Sequence, residues 1–140
     1  MAYWLFKSEP SSWSWEQQKA KGKTGEEWTG VRNFQARKNM KTMKLGDQGL
    51  FYHSGESKAI VGIVEVIRLA HPDSTAKEGN WECVDIRAVR DVPKPVTLEQ
   101  CKADKRLKNM VLVNNPRLSV QPVTGEEWTA VCRLGGLKNA

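Results

Sequence analysis

The chain has 140 residues, 39% of them hydrophobic, and its 22 Lys and Arg against 16 Asp and Glu give a formal charge of +6. That length fits one domain, residues 1–140, which buries about 68% of the surface its unfolded chain exposes, so a core needs no staples. No window reaches the roughly 18 apolar residues of a membrane span, and Cys83, Cys101 and Cys132, without a C-x-x-C, argue against a disulfide framework and a zinc site and for a reducing intracellular compartment.

The N-terminus lacks the charged start and small-residue cleavage site of a signal peptide, so residues 2 to 7 are expected as a strand of the mature fold, ended by Ser8-Glu9-Pro10. A short helix is predicted over Ser11 to Lys21, with Ser14 and Gln17 as a capping box. Trp13 and Trp15 stand at its start, one packing on the first strand and the other near the surface. Gly22-Lys23-Thr24 invites comparison with a Walker loop, but the required earlier glycine is Gln17. Thr-Gly-Glu-Glu-Trp-Thr occurs at 24–29 and again at 124–129 with unlike flanks, which reads as reuse of a capping box and not as an internal duplication.

From Val31 to Lys44 there are five Lys or Arg and no Asp or Glu. The spacing predicts a helix over Asn33 to Met43, with Ala36, Met40 and Met43 on one face, Arg37, Lys41 and Lys44 on another, and Gly46-Asp47 at its end. Ahead of it, Trp28, Gly30 and Arg32-Asn33 put a flat apolar surface beside two planar hydrogen-bonding heads. That pairing suits a nucleobase and its phosphates.

Gln48 to His53 and Ala59 to Leu69 read as neighbouring strands around the loop Ser54 to Lys58. A turn-rich loop from His71 to Gly79 leads to a strand over Trp81 to Arg90, which Val92-Pro-Lys-Pro95 is expected to break. Thr97 with Gln100 offers a capping box for a helix from Leu98, and the basic run Lys102 to Lys108 reads as a solvated surface. Met110 to Val113 is a short apolar piece, and Arg117 to Gln121 a last strand. Thr124 with Glu127 starts a final helix, with Trp128, Val131 and Cys132 inward and Gly135-Gly136 at its end. The pattern gives an α+β domain with a curved, barrel-like antiparallel sheet flanked by short helices.

Taken together, Tyr3 to Pro10, Trp28 to Arg37, Met43 to Asp47, Phe51 to Ser54, Val61 to Val66 and Pro116 to Pro122 resemble an EVE domain over nearly the whole chain. The resemblance implies a PUA-like fold that takes a modified base of nucleic acid into a pocket, with no established catalytic activity and no cofactor. The sequence departs from the usual pattern at Thr29 and at Ser12-Trp13-Ser14-Trp15.

An extruded base needs a π-face, polar groups for its edge and cations for the flanking phosphates. Trp28 is the candidate wall, with Tyr52 or Trp13 as a second, or else Trp28 belongs to the core. Glu9 and Asn33 are candidates for the base edge, or else a helix-terminus charge and an N-cap. Ser8 and Ser119 add hydroxyls, Gly30 lets the backbone approach, and Val31, His53 and Ser54 complete the candidate pocket. Arg32 sits between pocket and phosphates. Arg37, Lys38, Lys41 and Arg117 are the phosphate candidates, although a solvated helix face accounts equally for Lys38 and Lys41.

Catalysis is the rival reading, from His53-Ser54, Glu56 and the thiols, but adjacent strand residues point to opposite faces and no nucleophile motif accompanies them. Two His and scattered Cys argue against a metal. The expectation is therefore a non-catalytic, monomeric module for modified DNA or, alternatively, for structured or modified RNA, needing no membrane. Its place would be the cytoplasm or nucleoid of a bacterium, or a eukaryotic nucleus.

Overall fold

The computed structural model describes residues 1–137. The chain runs β1 (Tyr3–Ser8), α1 (Trp15–Ala20), β2 (Glu26–Glu27), α2 (Phe34–Thr42), β3 (Gln48–His53), β4 (Ala59–Pro72), β5 (Glu82–Thr97), α3 (Leu98–Ala103), α4 (Val111–Asn114), β6 (Val120–Val123) and α5 (Gly125–Leu134). Short 3₁₀ turns lie at Gly22–Thr24 and Lys105–Leu107. The six strands form one sheet in the order β2-β5-β4-β3-β1-β6.

The sheet is mixed, not wholly antiparallel, because β1 and β3 run parallel while their other pairings are antiparallel. A parallel pair needs a crossover, and here it is the stretch holding α1, β2 and α2. Nor does the sheet close into a barrel: β2 and β6 remain its two edges.

Both faces of the sheet carry a core, and alternation along the strands sorts the side chains between them. Trp4, Phe6, Phe51, Val64 and Val66 join Trp15, Trp28, Ala36 and Met40 on the face covered by α1 and α2. Leu5, Leu50, Tyr52 and Ile63 join Cys101, Met110, Trp128 and Val131 on the face covered by α3, α4 and α5. Burial on both sides explains why β1 and β3 read as continuous apolar runs.

The three capping boxes at Ser14, Thr97 and Thr124 form at the starts of α1, α3 and α5. Asn33 caps α2, accepting from the Ala36 N–H at 2.9 Å. At Val92-Pro-Lys-Pro95 the strand does not break. β5 continues to Thr97, with Gly62 facing Asp91 and Ile60 facing Val96, so the two prolines fall in a bulge where a ladder N–H is not required. The last strand lies at Val120–Val123, later than the Arg117 to Gln121 expected, and the Met110 to Val113 piece is a turn of helix. The hexapeptide at 24–29 starts no helix: it enters β2, and its Glu26 and Glu27 pair with Ile86 and Asp85.

Candidate functional site

On the α1/α2 face a cleft of about 620 Å³ opens between four pieces of chain. Lys7 and Ser8 at the end of β1, the turn Glu9, Ser12, Trp13, β2 with the segment Trp28 to Arg32, and Ser74, Thr75 and Ser119 line it. Its size lies within the roughly 300–1,000 Å³ of small-molecule pockets.

The segment Thr29 to Arg32 is held by Asp73, whose side chain is fully buried. One carboxylate oxygen accepts from the Gly30 N–H at 2.9 Å and from Arg32 Nη1 at 3.2 Å; the other accepts from the Thr75 N–H at 2.8 Å and its hydroxyl at 2.6 Å. Burial alone would push this carboxyl up, but the bonds from Thr75, Gly30 and Arg32 outweigh it and hold the pKa at about 2. Asp73 therefore stays ionised and ties the β4–β5 loop to the cleft wall.

Trp28 sits deep in that wall at 7% exposure, so the core and wall readings meet in one residue. Phe6 and Phe51 hold it edge-on, with ring centroids at 5.3 and 5.6 Å. Its backbone N–H donates to the Val84 carbonyl at 2.8 Å, which carries β5's order into the cleft. Half-buried Trp13, also in the lining, is oriented by a 2.9 Å bond from Nε1 to Gln18. Trp15, the other tryptophan of this segment, lies in the core and donates to Asp91 at 2.7 Å.

Of the residues singled out in the sequence, Ser8, Glu9, Trp28, Gly30, Val31, Arg32 and Ser119 line the cleft. Asn33, Tyr52, His53 and Ser54 are not among its lining residues. Asn33 is turned back as the α2 cap. Tyr52 faces the opposite core because Phe51 beside it takes the cleft-side face. His53 accepts from the Trp15 N–H at 2.9 Å, and burial lowers its pKa, so it is a neutral packing group. Ser54 donates to the Ser8 carbonyl and to Glu9 Oε1, both at 3.3 Å, steadying the rim.

The basic candidates lie outside the cleft. Lys38 and Arg117 are exposed, and Lys41 pairs with Glu82 at 3.5 Å. Arg37 lies over the rings of Phe34 and Trp81 at 5.1 and 5.2 Å, and Arg32 lies 5.6 Å from Trp81. Phe34 stacks on Trp81 at 5.2 Å and is 70% exposed. An aromatic and arginine surface thus adjoins the cleft mouth at Arg32.

A profile of the EVE domain family matches residues 2–134. The chain belongs to that family. It is 36% identical to thymocyte nuclear protein 1 of Homo sapiens, over 95% of this chain and 73% of the relative. Among solved structures, a protein from Agrobacterium tumefaciens shares 64% identity at a TM-score of 0.98, over 100% of this chain and 97% of that one. The human THYN1 protein in complex with 5-methylcytosine-containing DNA shares 34% identity at a TM-score of 0.89, over 99% of each chain.

Within this EVE domain, sequence reasoning missed Lys7, Ser12, Glu26, Glu27, Thr29, Ser74, Thr75 and the Asp73 behind them. One signal was present: Asp73-Ser-Thr75 is the pattern in which an aspartate bonds the backbone two residues on. The β2 residues gave none, since their position depends on pairing with β5, far along the chain. The thiols of Cys83, Cys101 and Cys132 are buried, which pushes them up to about 12, 11 and 11 and keeps them protonated. No helix among the described residues is long and apolar enough to cross a membrane.

Proposed function

We propose that this EVE domain binds nucleic acid without catalysis and takes one base, carrying a small modification such as the 5-methyl or 5-hydroxymethyl group of cytosine in DNA, into the cleft above Trp28. The observation that carries this reading is the lining of the cleft, where the Trp28 wall stands among polar groups of both signs. The carboxylates Glu9, Glu26 and Glu27 and the hydroxyls of Ser8, Ser12 and Ser119 share it with the cations Lys7 and Arg32. Carboxylates accept from the exocyclic amine of a base, and hydroxyls and cations donate to its carbonyl edge. Outside, Arg37, Lys38, Lys41 and Arg117 suit the phosphates on either side. The stacked Phe34 and Trp81, with Arg32 and Arg37 on them, offer a neighbouring base a second platform. The likeness to the human protein in complex with 5-methylcytosine-containing DNA supports the same class of partner.

The test is a binding panel of matched oligonucleotides, unmodified and carrying 5-methyl- or 5-hydroxymethyl-cytosine, each as DNA and as RNA, at several salt concentrations. Tighter binding to modified DNA is the expected result. Equal affinity for modified and unmodified DNA with clear preference for RNA would replace this reading with that of an RNA module, and turnover of any oligonucleotide would make the protein an enzyme. Arg37→Ala should weaken every oligonucleotide alike and reduce the salt dependence while keeping the modified-base preference.

A further inference from the structure

Behind the β2 side of the cleft, four side chains that are scattered in the sequence converge. Glu27 comes from β2, His71 from the end of β4, and Cys83 and Asp85 from β5, which pair as His71 with Cys83 and Glu27 with Asp85. One ligand atom from each lies within 4.8 Å of all the others. Cys83 is fully buried, and the other three are partly covered.

His71 Nδ1 lies 3.1 Å from the Pro72 carbonyl and Nε2 lies 2.7 Å from Asp85 Oδ1, so both ring nitrogens face acceptors, and a neutral imidazole has one N–H to give. The Cys83 thiol donates a long hydrogen bond to Glu27 Oε1 at 3.8 Å, and its sulfur stands 3.9 Å from the same Nε2. An imidazole ligand whose other nitrogen donates to a backbone carbonyl is the usual outer support of a metal site.

We propose that Glu27, His71, Cys83 and Asp85 form a binding site for a zinc ion. The donor set of one sulfur, one imidazole nitrogen and two carboxylate oxygens is that of zinc and unlike the all-oxygen sets of calcium and magnesium. Zinc there joins β2 to the far end of the β4–β5 ribbon, and so fixes the strand that leads into Trp28. Neither the three cysteines nor the two histidines announce it, because no two of the four ligands have the spacing of a familiar zinc motif. The proposal shares Glu27 with the cleft lining and is tested without nucleic acid.

The full chain, stripped with a chelator, is titrated with Zn²⁺ alone by isothermal calorimetry in buffers of different ionisation enthalpy, and separately with Co²⁺ while the optical spectrum is recorded. One equivalent of zinc is expected to bind with release of about one proton, that of the Cys83 thiol. Cobalt is expected to give a thiolate charge-transfer band. Cys83→Ser should abolish that band, and both it and His71→Gln should weaken zinc binding at least about tenfold. Cys132→Ser, on the other core face, should leave band and affinity unchanged. Absence of a thiolate band from the unsubstituted protein, or zinc affinity that Cys83→Ser leaves intact, would overturn the proposal and leave the four side chains as a hydrogen-bonded cluster. The unsubstituted protein's cobalt spectrum decides the matter even where a variant fails to fold.

Discussion

The residues Thr-Gly-Glu-Glu-Trp-Thr adopt two unrelated structures in this molecule. At 124–129 the threonine side chain accepts from the Glu127 N–H, the glutamate side chain accepts from the Thr124 N–H, and α5 follows. At 24–29 the threonine ends a 3₁₀ turn, Gly25 turns left-handed at φ 71°, and the two glutamates enter an edge strand on β5. What differs is the continuation. After Thr129 come Ala130 to Leu134, which extend the apolar stripe of Trp128, Val131 and Cys132; after Thr29 comes Gly30 at φ 82°. Helix nucleation is costly and is recovered only over further turns, so a cap without a following helix is free to be used otherwise. In this protein the second use delivers Trp28 to the cleft.

The tryptophans give the largest test of that division. Both are buried, Trp128 stacked on Tyr3 at 4.3 Å and Trp28 between Phe6 and Phe51, so either truncation to alanine should cost roughly 3–5 kcal/mol in chemical denaturation. Only Trp28→Ala should also weaken the preferred oligonucleotide, by about 1–3 kcal/mol, roughly 5- to 150-fold in Kd, measured where both variants remain folded. Loss of affinity from Trp128→Ala to the same degree would show that the two copies do not differ in function.

The glycines come next. An alanine at 25 would need a left-handed backbone and would bring Cβ to 2.4 Å from the Ile86 carbonyl oxygen and 2.6 Å from Ile67 Cδ1. The conformational cost of about 1–2 kcal/mol adds to overpacking of about 1–3, so Gly25→Ala should destabilise by roughly 2–5 kcal/mol. Gly125 has open space around the same position. Gly125→Ala should be neutral or stabilising by up to about 1 kcal/mol, because it restricts the unfolded chain at a helical site. Denaturation midpoints of the two variants check this directly.

These pairs also show what was legible beforehand. Elements set by local chemistry were: the boxes at Ser14, Thr97 and Thr124 form, and the β-branched and aromatic runs from Gln48 and from Ala59 become β3 and β4. Gly30 was the visible warning that the first hexapeptide had no helix to cap. The parallel pairing of β1 with β3, the passage of β5 through Pro93 and Pro95, and the pairing of β2 with β5 depend on residues far apart in the chain. The cleft divides the same way. Glu9, Trp28 and Arg32 stood out by type and setting, while Tyr52 was lost to strand alternation and Ser74 and Thr75 arrive through a loop held by Asp73.

Acid should separate the two copies more gently. The Asp73 carboxyl is depressed to about 2, so the stability it gives the segment after the first copy is fully present above the unfolded carboxylate range near pH 4. It is lost as pH falls toward 2, and amounts to roughly 2 kcal/mol. Denaturation curves across that interval should show this slope, and Asp73→Asn should remove it and lower stability at neutral pH. Nucleic-acid binding followed at neutral pH should fall in Asp73→Asn as the Thr29 to Arg32 wall loosens, while α5 retains its helical signal.

The smallest contrast isolates the cap itself. Thr124→Ala removes an acceptor 3.1 Å from the Glu127 N–H and leaves the first turn of α5 with one fewer partner. The cost of such a loss is typically about 1 kcal/mol. Thr24 is exposed at the end of its 3₁₀ turn, and the strand that follows begins with backbone pairing that does not use its hydroxyl. Thr24→Ala should therefore stay within about 0.5 kcal/mol, as surface substitutions do. If the two alanines cost the same, the hydroxyl of Thr24 is engaged after all, and the difference between the copies would lie in their glycines and flanks alone. If only Thr124→Ala registers, one hexapeptide serves as a cap in one place and as a strand entry in the other, with the same side chain active in the first and idle in the second.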